Sequence, residues 1–428
     1  MPIDCSREYA EKLSREDPLG HFRDRFYVQP GTHYMDGNSL GLLSRDAEQA
    51  LLDTIGSWKT QGIDGWMRAD PPWFFMGEQL GARQAALFGA QSDEIVVAGT
   101  TTVNLHALVA TFYRPVGARA KIVATELDFP SDVYALQAHI SRSGGDPASD
   151  LVKIHSRDGR IIEEDDIIAA MTSDVALVVL PSVLYRSGQL LDMQRLTAEA
   201  NARGIPIGFD CAHSAGVIPH AFSAWGVDFA LWCNYKYLNS GPGSVGGLYV
   251  NRKHFGAVPK LPGWWGYQKE RQFDMLHEFE PAHGAGAWQI STINVLSAAP
   301  IVGSLNIVDE AGIERIRAKS LALTDYLIAL VEAGGLTDVR YGYRIGTPLE
   351  HARRGGHVAL EHANGPQIAR ALKARGVVPD FRPPNVVRLA PVPLYSSFVD
   401  VWETVRHLRE IVDTGEFHAL ADVREVVA

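Results

Sequence analysis

The sequence predicts an α/β protein: a mostly parallel, seven-stranded sheet flanked by helices, followed by a smaller α+β C-terminal domain. Three observations carry that reading. From residue 95 onward, short apolar runs rich in Val and Ile alternate with stretches of helical length and period, which calls for crossover connections and a parallel sheet. The alternation breaks after Asp228, where two apolar runs are joined by a Gly-rich turn too short to hold a helix. Finally, 428 residues are too many for one compact core. The boundary is placed near residue 310, so that 1–310 forms an N-terminal segment plus the large domain and 311–428 the small one.

The elements follow in order. After a polar entry, residues 44–62 space Ala47, Leu51, Leu52, Ile55 and Trp58 as a helix would, with Ser44 as N-cap and Gly62 as stop. A second helix covers 78–88. Buried strands are expected at 95–98, 121–125, 151–154, 175–180 and 206–209, with helices at 103–113, 131–141, 163–171 and 193–202 between them. Strands at 229–233 and 245–250 complete the seven, and the last of them is free to run antiparallel. A long helix is expected at 312–333. A strand at 357–361, a helix at 367–375, Pro-rich extended chain and a helix at 398–414 close the chain.

Composition narrows the function. The chain is 46% hydrophobic and 21% charged, as an ordinary globular protein is. Its formal net charge of −10 argues against nucleic-acid or anionic-membrane surfaces, because neutralising phosphates takes excess cations. Cys5, Cys211 and Cys233 are too few and too badly spaced for a disulfide framework or a zinc site, and no other metal-ligand set stands out. The first residues mix both charge signs without an apolar run, so no targeting peptide is read there, and no stretch is long and apolar enough to span a bilayer. A cytoplasmic enzyme is the expectation.

The informative stretch is Phe209-Asp-Cys-Ala-His-Ser-Ala-Gly216, followed by Cys233-Asn-Tyr-Lys-Tyr-Leu-Asn-Ser240. Asp210 ends an apolar strand, at the edge where open α/β sheets bind ligands. A carboxylate buried there is costly unless a cation meets it. Lys236 follows another apolar strand and lies between two tyrosines, a setting suited to nucleophilic or Schiff-base duty. Taken singly, Asp210 capping a turn and Lys236 reaching solvent are the commoner outcomes. Together with His213 they make the set that pyridoxal phosphate needs: an anion at the ring nitrogen and an amine for the aldehyde.

Asp210-Cys-Ala-His213 and Asn234-Tyr-Lys-Tyr237 resemble the cofactor motifs of fold-type I pyridoxal-phosphate enzymes of the class V aminotransferase kind. Within that group the whole chain resembles the kynureninase family. The similarity runs through Asp36-Gly-Asn-Ser-Leu-Gly41, Thr101-Thr-Val-Asn-Leu-His106, Asp128-Phe-Pro-Ser-Asp132, Leu261-Pro-Gly-Trp-Trp-Gly266 and Arg388-Leu-Ala-Pro-Val-Pro-Leu-Tyr395. The resemblance implies that Lys236 is the Schiff-base lysine and Asp210 the partner of the ring nitrogen, with His213 close to ring and phosphate. It implies phosphate contacts from Thr101 and Thr102, which sit before a helix whose free N–H groups favour an anion. Phe129 would stack on the ring, Asp132 and Ser182 would make further cofactor contacts, and Tyr235 would serve both the phosphate and proton transfer. Trp264 and Thr292 would reach the phosphate from the other subunit of a homodimer. Thr292 stands where some relatives carry Asn. Arg388, with Ser39 of the first motif, would hold the substrate's α-carboxylate.

The activity so implied is hydrolysis of L-kynurenine to anthranilate and L-alanine in tryptophan catabolism, with a 3-hydroxylated ring left open as a second substrate. The aryl group is placed by guess among Trp66, Trp264 and Trp265. A class V aminotransferase acting on a small amino acid is the alternative, since it uses the same lysine and arginine. Cysteine desulfurase chemistry is not expected, because no cysteine follows Cys233. Other signals carry less. Gly241-Pro-Gly-Ser-Val-Gly246 spells a dinucleotide fingerprint but precedes a strand. His351 and His357 are expected to be solvated in a loop.

Overall fold

The computed structural model describes residues 4–420. At its centre are β1 (Ile95–Val97), β2 (Lys121–Thr125), β3 (Leu151–Ile154), β4 (Val175–Pro181), β5 (Ile207–Asp210), β6 (Phe229–Trp232) and β7 (Gly247–Val250). They form one sheet in the order β1-β7-β6-β5-β4-β2-β3. Only β7 runs against its neighbours, antiparallel to both β1 and β6. The Gly-rich turn before it is a direct reversal with no crossover helix, and that leaves no other direction for the strand.

Strand periodicity explains why the apolar runs read as continuous. Along β4, Val178 and Leu180 enter one core while Leu177 and Val179 enter another on the opposite face. Both faces are covered by α2 (Arg45–Gln61), α3 (Met76–Phe88), α4 (Thr101–Phe112), α5 (Pro130–Arg142), α6 (Glu164–Ala170), α7 (Met193–Ala202) and α8 (Val295–Ala311), with α1 (Arg7–Arg15) preceding them. The predicted N-cap holds: the Ser44 hydroxyl accepts from the Ala47 N–H. Helix α8 is absent from the sequence reading. It is apolar almost throughout and carries Pro300, so it shows no polar stripe from which a period could be read. It lies tightly against α2 because Gly303 is there; a Cβ on Gly303 would come within 2.0 Å of the Asp46 carbonyl oxygen.

The C-terminal part contains α9 (Ile313–Ala333), α10 (Gly365–Ala374), α11 (Phe398–Thr414) and an antiparallel sheet. That sheet is ordered β10 (Asp380–Arg382), β11 (Val386–Leu389), β9 (Val358–Glu361), β8 (Arg344–Ile345). Leu323, Leu327 and Val331 of α9 meet Val358, Leu360, Val387 and Leu389 in a core of their own. The N-terminal segment divides its packing. Ala10 and Met35 join this second core, whereas Leu19, Phe22 and Phe26 join the first. No helix among the described residues is long and apolar enough to cross a membrane.

Candidate active site

Parallel strands place their successors at one edge. Asp210 pairs in register with Pro181 of β4 and Leu231 of β6, so the chain following β4, β5 and β6 leaves the sheet side by side. A cavity of about 240 Å³ opens there. It is lined by Lys236, Tyr235, Asp210 and His213 from the chain after β5 and β6. Thr101 and Thr102 enter it from α4, Phe129 and Asp132 from the start of α5, and Ser39 and Arg388 from the other side.

Helix α4 begins two residues before the predicted start, so both threonines occupy its first turn. Its N-cap, Thr100, makes no side-chain capping bond, which leaves first-turn N–H groups to face the cavity. Thr102 Oγ1 lies 2.8 Å from Ser131 Oγ at the start of α5, tying the two helix N-termini together. Phe129, the N-cap of α5, is 47% exposed at the cavity wall, a large apolar ring with one face free.

Three buried carboxylates gather behind these helices. Asp210 Oδ1 accepts from the Ala212 N–H at 2.7 Å. Burial, then the charges of Asp210 and Asp128, hold the Asp132 carboxyl well above the ordinary carboxylate range. Burial likewise pushes Asp128 up to about 7, against the lowering effect of its hydrogen bonds from Thr125. The sign of the stability effect follows. Asp128 titrates near 3.8 when unfolded, so between about pH 4 and 7 the unfolded chain sheds a proton that the folded chain retains. This group's contribution is complete below that window and is lost as pH rises through it, by on the order of a few kcal/mol. Asp128→Asn is expected to flatten that decline in urea midpoints measured from pH 5 to 8. An unchanged pH profile would count against a buried, protonated Asp128.

Lys236 Nζ sits 3.0 Å from His213 Nε2. Burial and the neighbouring Lys236 hold the His213 imidazole well below its usual range, so it is neutral and its Nε2 can accept from the Lys236 amine. The lysine loop is anchored from several sides. Asn234 Nδ2 donates to the Val245 carbonyl at 2.7 Å, and the Gly41 N–H donates to the Tyr235 carbonyl at 2.8 Å. Gly41 is a close-approach position, because a Cβ there would meet the Lys236 carbonyl oxygen at 2.4 Å. The Asp36–Gly41 motif therefore docks on the lysine loop. Burial raises the Tyr235 phenol, which stays a proton donor at neutral pH. Cys211 is pushed up to about 12 by burial and makes a poor nucleophile.

Arg388 on β11 is 1% exposed and stands directly opposite Asp380 on β10. Its Nε and Nη2 bind the Asp380 carboxylate, Nη1 donates to the Tyr185 carbonyl at 2.6 Å, and Nη2 donates to Ser39 Oγ at 3.1 Å.

Three predicted residues do not line the cavity. Ser182 is buried behind it, where its hydroxyl donates to the Asp210 carbonyl at 3.0 Å and lies 2.8 Å from Ser214 Oγ. Trp264 and Thr292 border a separate apolar groove of about 680 Å³ with Trp66, Trp265 and Phe273. The three tryptophans guessed for the aryl group thus lie together, but within one chain they are not beside Lys236. His357 corrects a reading: it is fully buried, its ring 6.0 Å from that of His213. Strand β9 begins at the next residue, and the ring packs close to Gly188 and His213. The sequence reading also passed over Asn38, Ser131, Tyr185 and Arg382, all at the cavity wall. Ser131 was within reach, since it lies inside the quoted Asp128–Asp132 motif.

Comparisons with known proteins bear on the family and the fold. A family model described as the kynureninase C-terminal domain matches residues 316–408. The chain is 56% identical over 426 residues to a protein named kynureninase from Geobacillus thermodenitrificans, covering 100% of this chain and 99% of that one. It is 56% identical over 427 residues to the kynureninase of Bacillus anthracis, with the same coverage. Among solved structures, the apo cysteine desulfurase of Thermococcus onnurineus matches with a TM-score of 0.77 at 18% identity, covering 92% of this chain and 98% of that one. The desulfurase CsdA of Escherichia coli gives 0.76 at 17%, with 92% and 98% covered. At such identities the likeness carries the fold alone, whereas the full-length relatives carry the family. The chain belongs to the kynureninase family.

Proposed function

We propose that this protein is a pyridoxal 5'-phosphate-dependent enzyme that hydrolyses L-kynurenine to anthranilate and L-alanine. One observation supports this above the rest: a lysine amine, a buried carboxylate pair, two helix N-termini and a buried arginine converge on a single cavity in a chain more than half identical to kynureninases. The residues fit the cofactor. Asp132 and Asp210 need a cation, which a protonated ring nitrogen would supply, and the His213 Nδ1 is a buried polar atom without a partner among the described residues. Phe129 offers a ring face, and Thr101 and Thr102 offer first-turn donors for a phosphate.

Bound there, the cofactor supplies an electron-poor ring that accepts the charge left when the substrate loses its α-proton. Lys236 would hold its aldehyde, and its amine, when free, would be the base placed to remove the substrate's α-proton. Asp210 would keep the ring nitrogen protonated, and Ser182 fixes Asp210 from behind. Arg388 and Ser39 orient the carboxylate. Tyr235, protonated at neutral pH, would donate to the γ-carbonyl oxygen as water adds at that carbon; when the bond to the β-carbon breaks, its electron pair would stay on the β-carbon, which takes up a proton on the way to L-alanine. The test is direct. Cofactor-loaded protein incubated with L-kynurenine is expected to release fluorescent anthranilate and stoichiometric alanine without a keto-acid acceptor. Alanine formation that requires such an acceptor would favour the aminotransferase alternative.

A cytoplasmic homodimer is part of the same reading. Trp264 is 48% exposed in an apolar groove away from its own Lys236, and a second copy would cover it and receive Trp264 and Thr292 at its phosphate site. Sedimentation at working concentration is expected to show two copies. A fully active monomer at high dilution would contradict the shared site.

A further inference from the structure

Strand alternation places Asp380 and Arg382 on the same face of β10, and the register sets Asp380 opposite Arg388. Asp380 is entirely buried, and one of its oxygens, Oδ2, receives both guanidinium groups: Nε and Nη2 of Arg388, and Nε of Arg382 at 3.0 Å. The two arginines differ in what they have left. Every nitrogen of Arg388 already has a protein acceptor, in Asp380, Tyr185 or Ser39. Arg382 is fixed through Nε alone, and its Nη1 and Nη2 have no hydrogen-bond partner among the described residues. Its side chain is 28% exposed and lines the cavity that holds Lys236, Ser39 and Arg388.

A guanidinium offers its two terminal nitrogens as a fork matched to two carboxylate oxygens, and that geometry makes the strong form of the pair. In this cavity the fork standing open belongs to Arg382. We propose that Arg382 is the second arm of a two-arginine clamp for the substrate's α-carboxylate, with Asp380 as the strut between the arms. Arg388 is the buried, fixed arm, and Arg382 the arm whose free donors meet the incoming anion. This deepens the reading that the cavity takes an amino acid, and rests on it.

The product L-alanine and its carboxylate-free counterpart, ethylamine, separate the roles. Each is titrated into cofactor-loaded protein, with binding read from the cofactor's visible band and by calorimetry. In Arg382→Gln, L-alanine is expected to bind about 10- to 100-fold more weakly, the size of losing a charge-assisted hydrogen bond, while ethylamine binding holds. Arg382→Lys, which keeps the charge without the fork, should fall between. Unchanged L-alanine affinity in Arg382→Gln would overturn the inference, and so would an equal loss for both ligands, which would make Arg382 a prop for the site rather than a carboxylate arm. Neither outcome depends on kynurenine turnover by the wild-type enzyme, so a wrong substrate and a wrong clamp remain distinguishable.

Discussion

Lys236→Ala is expected to lower kynurenine hydrolysis by at least about 10³-fold, the largest loss of any single substitution in this molecule. The reason is that one amine serves twice, as the cofactor's covalent anchor and as the base for the α-proton. Structural damage should be slight, because the hydrogen bond that Lys236 Nζ makes is to His213 Nε2, and a neutral imidazole at the cavity wall tolerates its removal. The thermal midpoint should therefore stay within a few degrees of wild type. Borohydride reduction gives an independent reading. In the wild-type protein it should fix the cofactor's mass on the peptide containing Lys236, and in the variant that label should vanish together with the wild-type visible band. Small primary amines added to the variant should restore a fraction of turnover by standing in for the base. Hydrolysis at wild-type level, or a label found on another lysine, would remove Lys236 from the chemistry and the proposed function with it.

What could be read from the sequence and what could not follow one physical division. Each strand of the large sheet is buried on both faces, so each announces itself as an uninterrupted apolar run, and the residues just beyond those runs fall at the sheet edge. Asp210 and Lys236 were legible for that reason, whereas Thr101 and Phe129 came from the family resemblance. Helix α8 was not, because an apolar helix buried on nearly every side has no polar stripe to reveal its period. Arg382 and His357 were hidden for another reason. The place of Arg382 depends on the register between two neighbouring strands, and that of His357 on the burial of a loop against the lysine site, which joins segments far apart in the chain. Asp380 shows the limit most clearly, since nothing local to it signals that its carboxylate holds two arginines.

The second large effect belongs to Asp210. Asp210→Asn keeps the shape of the side chain and an oxygen to accept the Ala212 N–H, so the turn after β5 should survive. What it removes is the negative charge at the end of the strand, in a site dry enough to hold Asp132 protonated. An electrostatic group aimed at developing charge in such a site contributes on the order of 10³-fold to rate, and hydrolysis by the variant should fall by about that factor. Asp210→Glu retains the charge but pushes it one methylene farther into a closely packed wall, so its activity should lie between the other two. The ring nitrogen itself can be watched. With ¹⁵N-labelled cofactor, the nitrogen is expected to be protonated at neutral pH in the wild-type protein and unprotonated in Asp210→Asn, because the opposing charge is what raises its affinity for a proton. The order wild type, Glu, Asn, matched by the same order of nitrogen protonation, would tie rate to charge rather than to shape. If Asp210→Asn hydrolysed kynurenine as fast as the wild type while its ring nitrogen stood unprotonated, the carboxylate would be a structural group only, and the electron-accepting role of the ring would need another source.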